Sequence, residues 1–464
     1  ILYKNRYLFF LMKIIFSKFP SIFLFIILFE YVFNQNGALV LPFKKELPNL
    51  DNVPPNEVVY PTMFDNLIMS EIRVGTDPQT VKLRLEFESY LFYISSSSSV
   101  SKIKFDEKKS NTYQKVESEV QHFSISRINE GLFSSDYIYF DKNSNTKHMT
   151  SFILGINTLK DDSGGLIGLN LEDYTTKNYT KYNFINEMKR IGLIKDYYFS
   201  ISYTDNNSGE IIFGDLPHNI SNKYNKDNYK DSYVDLQTYD LTWKLKLDNI
   251  YIGKKEKASD KVSVGESVTG FFRIEKSIIE GNERYRKRLL SSFMSEQINK
   301  NLCFEVNTEY YFTYYCKGEV DISKLDNIYF YSKELDFTFE LTYKDLFYHN
   351  EKDGNYYFLI VFNNDIDEED LNYIWILGEP IFKKYQFVFN KSSKRLGVYT
   401  SYDKSKSGNS SDDNNKSWFA RNIWSLIIIF VLLIIIVGLG IVLYNNIKLK
   451  GRKRKANELE DDFE

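Results

Sequence analysis

The segment WILGEPIFKKYQFVFNKSSKRLGVY, from Trp375 to Tyr399, is the most informative part of this chain. It contains the apolar-alternating run KYQFVFN, which ends at the polar cluster KSSK before a second apolar run begins. Alternation of apolar and other residues with a period of two is typical of a β-strand that buries one face. The segment therefore predicts strands.

The same pattern recurs along the chain, at KLRLEF, DYIYFD, YYFSISYT, GEIIFGD and KLKLDNIYIG. Clusters of Asn, Asp, Gly and Ser separate these runs. The composition agrees with them, because 36 Tyr and 37 Phe stand against only 9 Pro, a balance that favours strands. Helical periodicity is convincing at 183–194 and 283–298. We therefore expect a mostly-β protein with few helices.

Length and charge narrow the class of protein further. A chain of 464 residues is too long for one ordinary core, so two globular units with appendages are expected. The 59 basic and 62 acidic residues give a net charge of −3, which offers no general attraction to nucleic acid. The four histidines are isolated in the sequence, so neither a metal site nor a cofactor is predicted.

Apolar segments near both ends predict entry into the secretory pathway and a membrane anchor. Residues 12–37 combine Lys13 and Lys18 with the apolar run SIFLFIILF, which is typical of a signal peptide. Residues 423–444 lack charge and would span roughly 33 Å as a helix, enough to cross a bilayer. Basic residues follow at once, so we expect a luminal stalk at 402–422 and a cytosolic tail at 445–464.

Six Asn-X-Ser/Thr sequons lie on the predicted luminal side: Asn178, Asn206, Asn219, Asn390, Asn409 and Asn415. They are consistent with a single-pass type I membrane glycoprotein, at the cell surface or in an endolysosomal or vacuolar membrane, with its transmembrane helix in the lipid bilayer. In this oxidising compartment Cys303 and Cys316 are expected to form a disulfide, with free buried thiols as the alternative.

Residues from about 64 to 400 resemble the pepsin-like aspartic peptidases. LIMSEIRVGTDPQT is similar to the family's first strand and turn, and KFDEKKSNTY and GGLIGLN are similar to two of its later blocks. The opening segment WILGEPIFKKYQFVFNKSSKRLGVY provides the longest match. The resemblance implies a bilobal, mostly-β fold, with an N-terminal lobe at 61–232, a C-terminal lobe at 233–401 and a substrate cleft between them.

In this family each lobe supplies one aspartate from an Asp-Thr/Ser-Gly turn, and the two carboxylates share one proton to activate a water. Counting onward from PQT places the following residues on the first turn: Glu86, Phe87, Glu88 and Ser89. Alignment through SII and the following glycine places four others on the second turn: Arg273, Ile274, Glu275 and Lys276. The resemblance therefore implies no intact catalytic pair, since an arginine stays protonated and acts neither as acid nor as base.

Two arrangements of the altered site remain open. In the first, Glu86 and Arg273 form an ion pair between the lobes, and Glu88 or Glu275 also takes part in it. The alternative to this pair is that the side chains of Glu86 and Arg273 both point to solvent. In the second, VGESVTG (264–270) forms the second turn, and Glu266 becomes the partner of Glu86 in a weak acid–base pair.

The family's flap also carries a tyrosine, and the corresponding segment HFSISRINEGLFSSD (122–136) has none. We therefore expect a catalytically inactive homologue that binds an extended peptide or protein in the inter-lobe cleft. An active aspartic endopeptidase with an unusual pair of residues is the alternative. A purely structural surface protein without a ligand is a third possibility.

Overall fold

The computed structural model describes residues 37–46, 64, 67–123, 127–141, 144–158, 162–171, 182–233, 242–254, 262–307, 311–363 and 374–400. Apart from its last residue, the predicted signal peptide (12–37) lies outside these ranges. The predicted stalk, transmembrane helix and tail (402–422, 423–444 and 445–464) lie wholly outside them. Within the described ranges, no helix combines the length and apolar character that crossing a bilayer requires.

The first sheet has 14 strands in the described chain. They are β1 (Leu39–Glu46), β2 (Leu67–Val74), β3 (Gln79–Glu86), β4 (Phe92–Ser95), β5 (Gln114–Lys115), β6 (Gln121–His122), β7 (Ile128–Tyr139), β8 (His148–Thr158), β9 (Gly165–Gly168), β10 (Tyr198–Tyr203), β11 (Ser208–Phe213), β12 (Tyr229–Tyr233), β24 (Gln386–Asn390) and β25 (Arg395–Tyr399). Their order is β12-β25-β24-β10-β11-β1-β2-β3-β9-β4-β8-β7-β5, and β6 pairs with β7.

The second sheet has 11 strands. They are β13 (Lys244–Gly253), β14 (Val262–Phe272), β15 (Ile279–Asn282), β16 (Cys303–Asn307), β17 (Tyr311–Cys316), β18 (Asn327–Ser332), β19 (Phe337–Leu341), β20 (Phe347–Asn350), β21 (Asn355–Phe358), β22 (Ile360–Asn363) and β23 (Ile374–Leu377). Their order is β19-β18-β13-β14-β23-β15-β22-β17-β21-β20, and β16 pairs with β17. The predicted mostly-β fold is confirmed, and the two sheets are consistent with the expected bilobal fold.

Short helices connect the strands of the described chain. They are α1 (Phe184–Arg190), α2 (Pro217–Ile220), α3 (Glu283–Phe293), α4 (Ser295–Asn299), α5 (Tyr343–Leu346) and α6 (Glu379–Lys384), with 3₁₀ turns at Glu107–Lys109, Lys226–Asn228 and Ile322–Lys324. The helices expected at 183–194 and 283–298 are α1 and the pair α3 and α4. Asn183 caps α1 and Asn282 caps α3, each by accepting a backbone N–H in the first turn.

The segment Trp375–Tyr399 joins the two sheets. Its first strand, β23, lies in the second sheet, whereas β24 pairs with β10 and β25 pairs with β12 in the first sheet. The helix α6 makes the crossing between them, and its residues Pro380, Ile381 and Phe382 are buried. The segment is the most informative part of the sequence because its residues must pack in both sheets.

Aromatic side chains fill the space between the two sheets. Phe87, which follows β3, is fully buried and packs against three rings from other elements: Phe199 at 5.9 Å, Phe382 at 5.6 Å and Phe389 at 5.2 Å between centroids. Edge contacts of this kind add to the free energy gained by burying the rings. The end of β3 is therefore fixed by apolar packing on both sides of the lobe junction.

Strand β1 was not anticipated by the sequence. It lies between β11 and β2 in the middle of the first sheet, and its side chains Leu41 and Phe43 are buried. Pro42 takes an exposed place between them, but a proline usually argues against a central strand. Here the ring of Phe43 packs edge-on against that of Tyr203 of β10, with 5.2 Å between the ring centroids. The burial of these side chains therefore outweighs the unfavourable effect of the proline on strand formation.

We expect Phe43→Ala to lower the free energy of unfolding by about 3–5 kcal/mol, because it leaves a cavity in a packed core. Val40→Ala, on the exposed face of the same strand, is the matched control and should change it by about 0.5 kcal/mol or less. Urea titration of both variants measures the difference. Equal effects would show that β1 is not part of the folded core.

Candidate active site

Two turns meet where the sheets adjoin, and each is crossed by a glycine. A β-carbon on Gly168 would lie 2.5 Å from the carbonyl oxygen of Ser89, and one on Gly378 would lie 2.5 Å from that of Lys276. Only a residue without a β-carbon can pass over either turn. Ser89 is three residues after Glu86, and Lys276 is three residues after Arg273. The structure thus places Glu86 and Arg273 at equivalent positions in the two lobes.

Glu86 is the last residue of β3 and is only 2% exposed. Its carbonyl oxygen accepts the N–H of Leu169 at 2.9 Å, which fixes the backbone of the turn. Its carboxylate oxygen Oε1 lies 3.3 Å from Nε of Arg127 and 3.7 Å from Nε of Arg84. The buried carboxylate at the end of β3 is therefore paired with two guanidinium groups.

Arg273 follows β14, and its backbone N–H donates to the carbonyl of Leu377 at 3.1 Å. Its Nη1 atom lies 3.0 Å from Oε1 of Glu88 and 3.3 Å from Oε1 of Glu275. Glu88 belongs to the turn of the other lobe, so the first of these ion pairs bridges the lobes. The second position of the site thus holds a cation that two carboxylates surround.

Glu275 lies on the second turn, and its side chain is buried. Its Oε2 atom accepts the backbone N–H of Phe87 at 3.2 Å. Burial raises the pKa of Glu275 to about 7, an effect that Arg273 opposes and the charge of Glu86 reinforces. A carboxyl group from one lobe therefore caps the backbone of the other.

The expected direct ion pair between Glu86 and Arg273 is not formed in the described structure, because each group has other partners. Glu86 faces Arg84 and Arg127, and Arg273 faces Glu88 and Glu275. The two glutamates that were expected to join the pair therefore hold Arg273 themselves.

Glu266, the alternative partner of Glu86, lies elsewhere. It is exposed on β14, opposite Asn249 of β13, and its Oε1 accepts the hydroxyl of Ser263 at 3.3 Å. The structure does not bring it to the buried carboxylate of Glu86.

Sequence reasoning missed Arg84 and Arg127. Arg84 lies two residues before Glu86, so the alternation of β3 places both on the same face, and this signal was available. Arg127 precedes β7 in the predicted flap, which forms the hairpin of β6 and β7. Its contact with Glu86 spans 41 residues and depends on the fold, so no local pattern could reveal it.

The disulfide between Cys303 and Cys316 is confirmed and joins β16 to β17. Of the sequons, Asn206 and Asn219 are exposed. Asn390 is buried, and its side-chain oxygen accepts from the hydroxyl of Ser392 and the N–H of Ser393. The sequons at 178, 409 and 415 lie outside the described residues, where nothing tests them.

The chemistry open to this site is limited by its charges. A shared proton needs two carboxyl groups that face one water, whereas here the guanidinium of Arg273 lies against the carboxyl groups of Glu88 and Glu275. Both oxygens of Glu275 are engaged, one by a backbone N–H and the other by Arg273. Across the described residues no group of three or more His, Cys, Asp or Glu side chains could hold a metal ion.

The raised pKa of Glu275 predicts a pH-dependent stability. The folded chain binds more protons than the unfolded chain between pH 4.5 and about 7, so this group's contribution to the free energy of unfolding falls as pH rises through that window. The side chain of the Glu275→Gln variant stays neutral. Between pH 4.5 and pH 8 its free energy of unfolding should therefore rise by on the order of 3 kcal/mol relative to that of wild type. Urea titrations across this range measure the difference.

Glu266→Gln is the control for that measurement, because it removes an exposed carboxylate from the neighbouring strand. Its profile should run parallel to that of wild type. A Glu275→Gln profile that is also parallel would contradict the buried, proton-binding role of Glu275.

Loss of Arg273 should destabilise the chain most above pH 7, where Glu275 is charged. We expect Arg273→Ala to lower the free energy of unfolding by about 1–3 kcal/mol at pH 8, because it leaves the buried carboxylate of Glu275 without its ion-pair partner. Glu88→Gln removes only the more exposed ion-pair partner of Arg273 and should lower the free energy of unfolding by about 1 kcal/mol or less. Differential scanning calorimetry of both variants at pH 5 and pH 8 checks this order, and a larger effect of Glu88→Gln would reverse it.

A model of the family described as eukaryotic aspartyl protease matches residues 68–400. No curated protein matches the chain. The family match covers more than half of the 464 residues and includes both turns of the site. This chain belongs to the eukaryotic aspartyl protease family.

Proposed function

We propose that this chain is a catalytically inactive family member that binds an extended peptide or protein segment in the cleft between its lobes. The observation that carries the proposal is the ion pairing of Arg273 with Glu88 and Glu275, at the position equivalent to Glu86. A permanent cation there cannot share a proton with Glu86, so the general acid and base of the family have no counterpart.

The exposure of the junction supports a binding role. Glu86 and Glu275 are buried, but the side chain of Glu88 is 56% exposed and that of Arg127 is 31% exposed. Solvent therefore reaches the ion pairs that cover the turns. An extended segment lying in the cleft would meet these groups, and main-chain hydrogen bonds suit such a ligand.

We also propose that the chain is a type I membrane glycoprotein of the secretory pathway. The disulfide Cys303–Cys316 supports an oxidising compartment, and the exposed Asn206 and Asn219 suit glycan attachment. The apolar run at 423–444 would provide the anchor in the lipid bilayer.

One observation favours the alternative of an active endopeptidase. Glu86 lies close enough to Glu275 for its charge to raise the pKa of that carboxyl group, so two carboxyl groups do approach each other across the junction. However, Glu275 is buried, and its oxygens accept from Phe87 and Arg273. Activation of water by this pair would require Arg273 to leave.

The proposal predicts that the full chain does not cleave acid-denatured haemoglobin between pH 3 and pH 7. Pepsin, assayed in parallel with and without a statine-type inhibitor, provides the positive control. Release of peptides by the purified chain that the inhibitor abolishes would overturn the assignment as inactive. Release that the inhibitor leaves unchanged would indicate a contaminating enzyme.

Binding in the cleft predicts sensitivity to bulk at the junction. We expect Glu88→Trp to abolish capture of a randomised phage-displayed peptide library by the immobilised full chain. Glu266→Trp places the same side chain on an exposed strand away from the turns and should capture as wild type does. Equal capture by both variants would place the binding surface outside the cleft.

A further inference from the structure

A depression on the surface of the second sheet lies apart from the two turns. It has a volume of about 370 Å³ and is lined by five side chains: Asn249, Tyr251, Ser263, Tyr331 and Thr338. Pockets that hold small ligands measure about 300–1,000 Å³, so this depression is at the small end of that range. Ser263 is near the start of β14, whereas Arg273 follows its end, so the depression is separate from the site described above.

The pairing of the strands explains why the depression forms. Asn249 of β13 lies opposite Tyr331 of β18, and Tyr331 lies opposite Thr338 of β19. Tyr251, two residues after Asn249, is on the same face because side chains alternate along a strand, and Ile250 between them is buried on the other face. The short side chain of Asn249 therefore lies between two long tyrosine side chains, one along its own strand and one across the sheet.

The two tyrosines give the depression an aromatic surface. Both are half-buried, and Tyr251 stacks on Tyr329 with 4.9 Å between the ring centroids. Within the described ranges, Tyr331 makes no ring contact and its hydroxyl makes no hydrogen bond. A tyrosine ring combines an apolar face with a polar hydroxyl, so it suits a ligand that has both apolar and polar groups.

Hydrogen-bonding groups that the protein does not use lie beside these rings. The Oδ1 atom of Asn249 accepts the hydroxyl of Ser263 at 3.0 Å, whereas its amide nitrogen donates to none of the described residues. The hydroxyl of Thr338 is also without a hydrogen bond in the part of the chain that the structure describes. Amide and hydroxyl groups can bind the hydroxyls of a ligand. Because the side chains come from paired strands, they are held in place before a ligand arrives.

The depression favours a neutral ligand. Its five lining side chains are uncharged at neutral pH. In the hydrogen bonds of the described residues, the charged group that reaches this lining is Glu266, whose Oε1 lies 3.3 Å from the hydroxyl of Ser263. A carboxylate accepts hydrogen bonds from hydroxyl groups but repels an anion.

We propose that this depression binds a neutral saccharide ring. The C–H groups of the sugar pack on the rings of Tyr251 and Tyr331, and its hydroxyls bind Asn249, Ser263 and Thr338. The ring can belong to a free oligosaccharide or to a glycan on another protein, because both present the same chemistry. This site is independent of the cleft, so it stands whether or not the cleft binds a peptide.

A glycan array tests the ligand class. We expect the fluorescently labelled full chain to bind neutral glycans, and to bind their sialylated or sulfated counterparts at least about fivefold more weakly. Competition by the same neutral oligosaccharide in free form would show that the sugar alone suffices, whereas binding only of protein-linked glycans would identify a glycoprotein as the source. Binding of no neutral glycan, or a preference for the anionic ones, overturns the site.

Variants locate the binding on the molecule. Tyr331→Ala removes a ring and Asn249→Trp fills the depression, so each should weaken binding at least about tenfold. Tyr348→Ala removes a partly exposed tyrosine of β20 outside the depression and should bind as wild type does. Circular dichroism checks that each variant folds, and Asn249→Trp, at a half-buried position, remains informative if Tyr331→Ala does not. Binding that both variants keep, or that Tyr348→Ala loses equally, overturns the assignment.

Discussion

The contact between the carboxyl group of Glu275 and the backbone N–H of Phe87 determines how the two halves of this site meet. It joins the second turn to the first at 3.2 Å, inside a region from which water is excluded. Arg273 contacts the same carboxyl group and also forms an ion pair with Glu88. An ion pair and a hydrogen bond to the backbone therefore connect the two lobes side by side. The position of Arg273 therefore follows from the docking of the lobes.

Around this contact the junction is apolar where the family's turns carry a threonine or serine. Phe87 packs into rings from β10, α6 and β24, and Ile274 is fully buried. Such packing stabilises the docking of the lobes. The buried ion pairs add geometric specificity rather than much stability, because desolvation offsets most of their attraction. The family's scaffold thus persists, and we propose that the arrangement that shares a proton does not.

Sequence alone predicted several of the strands, both longer helical segments and the disulfide, because each has a local pattern. The resemblance to the aspartic peptidases, through PQT in the first lobe and SII in the second, also predicted which residues form the two turns. It did not predict the pairing of Glu86 with Arg84 and Arg127, or of Arg273 with Glu88 and Glu275. Those choices depend on where the flap and the two turns lie in space, which no local pattern records.

β1 was missed for a different reason. Its proline weakens the strand pattern, and its place in the sheet is fixed by distant partners on β11 and β2. In β1 the burial of Leu41 and Phe43 outweighs the low strand propensity of the proline.

A crystal structure of the purified chain at pH 5 and pH 8, with a statine-type inhibitor present in the crystals, tests the central claim most directly. Our account predicts Arg273 in contact with Glu88 and Glu275 at both pH values, Arg127 on Glu86, and no inhibitor hydroxyl between two carboxyl groups. A water or an inhibitor hydroxyl held jointly by Glu86 and a second carboxylate, with Arg273 turned into solvent, would contradict it.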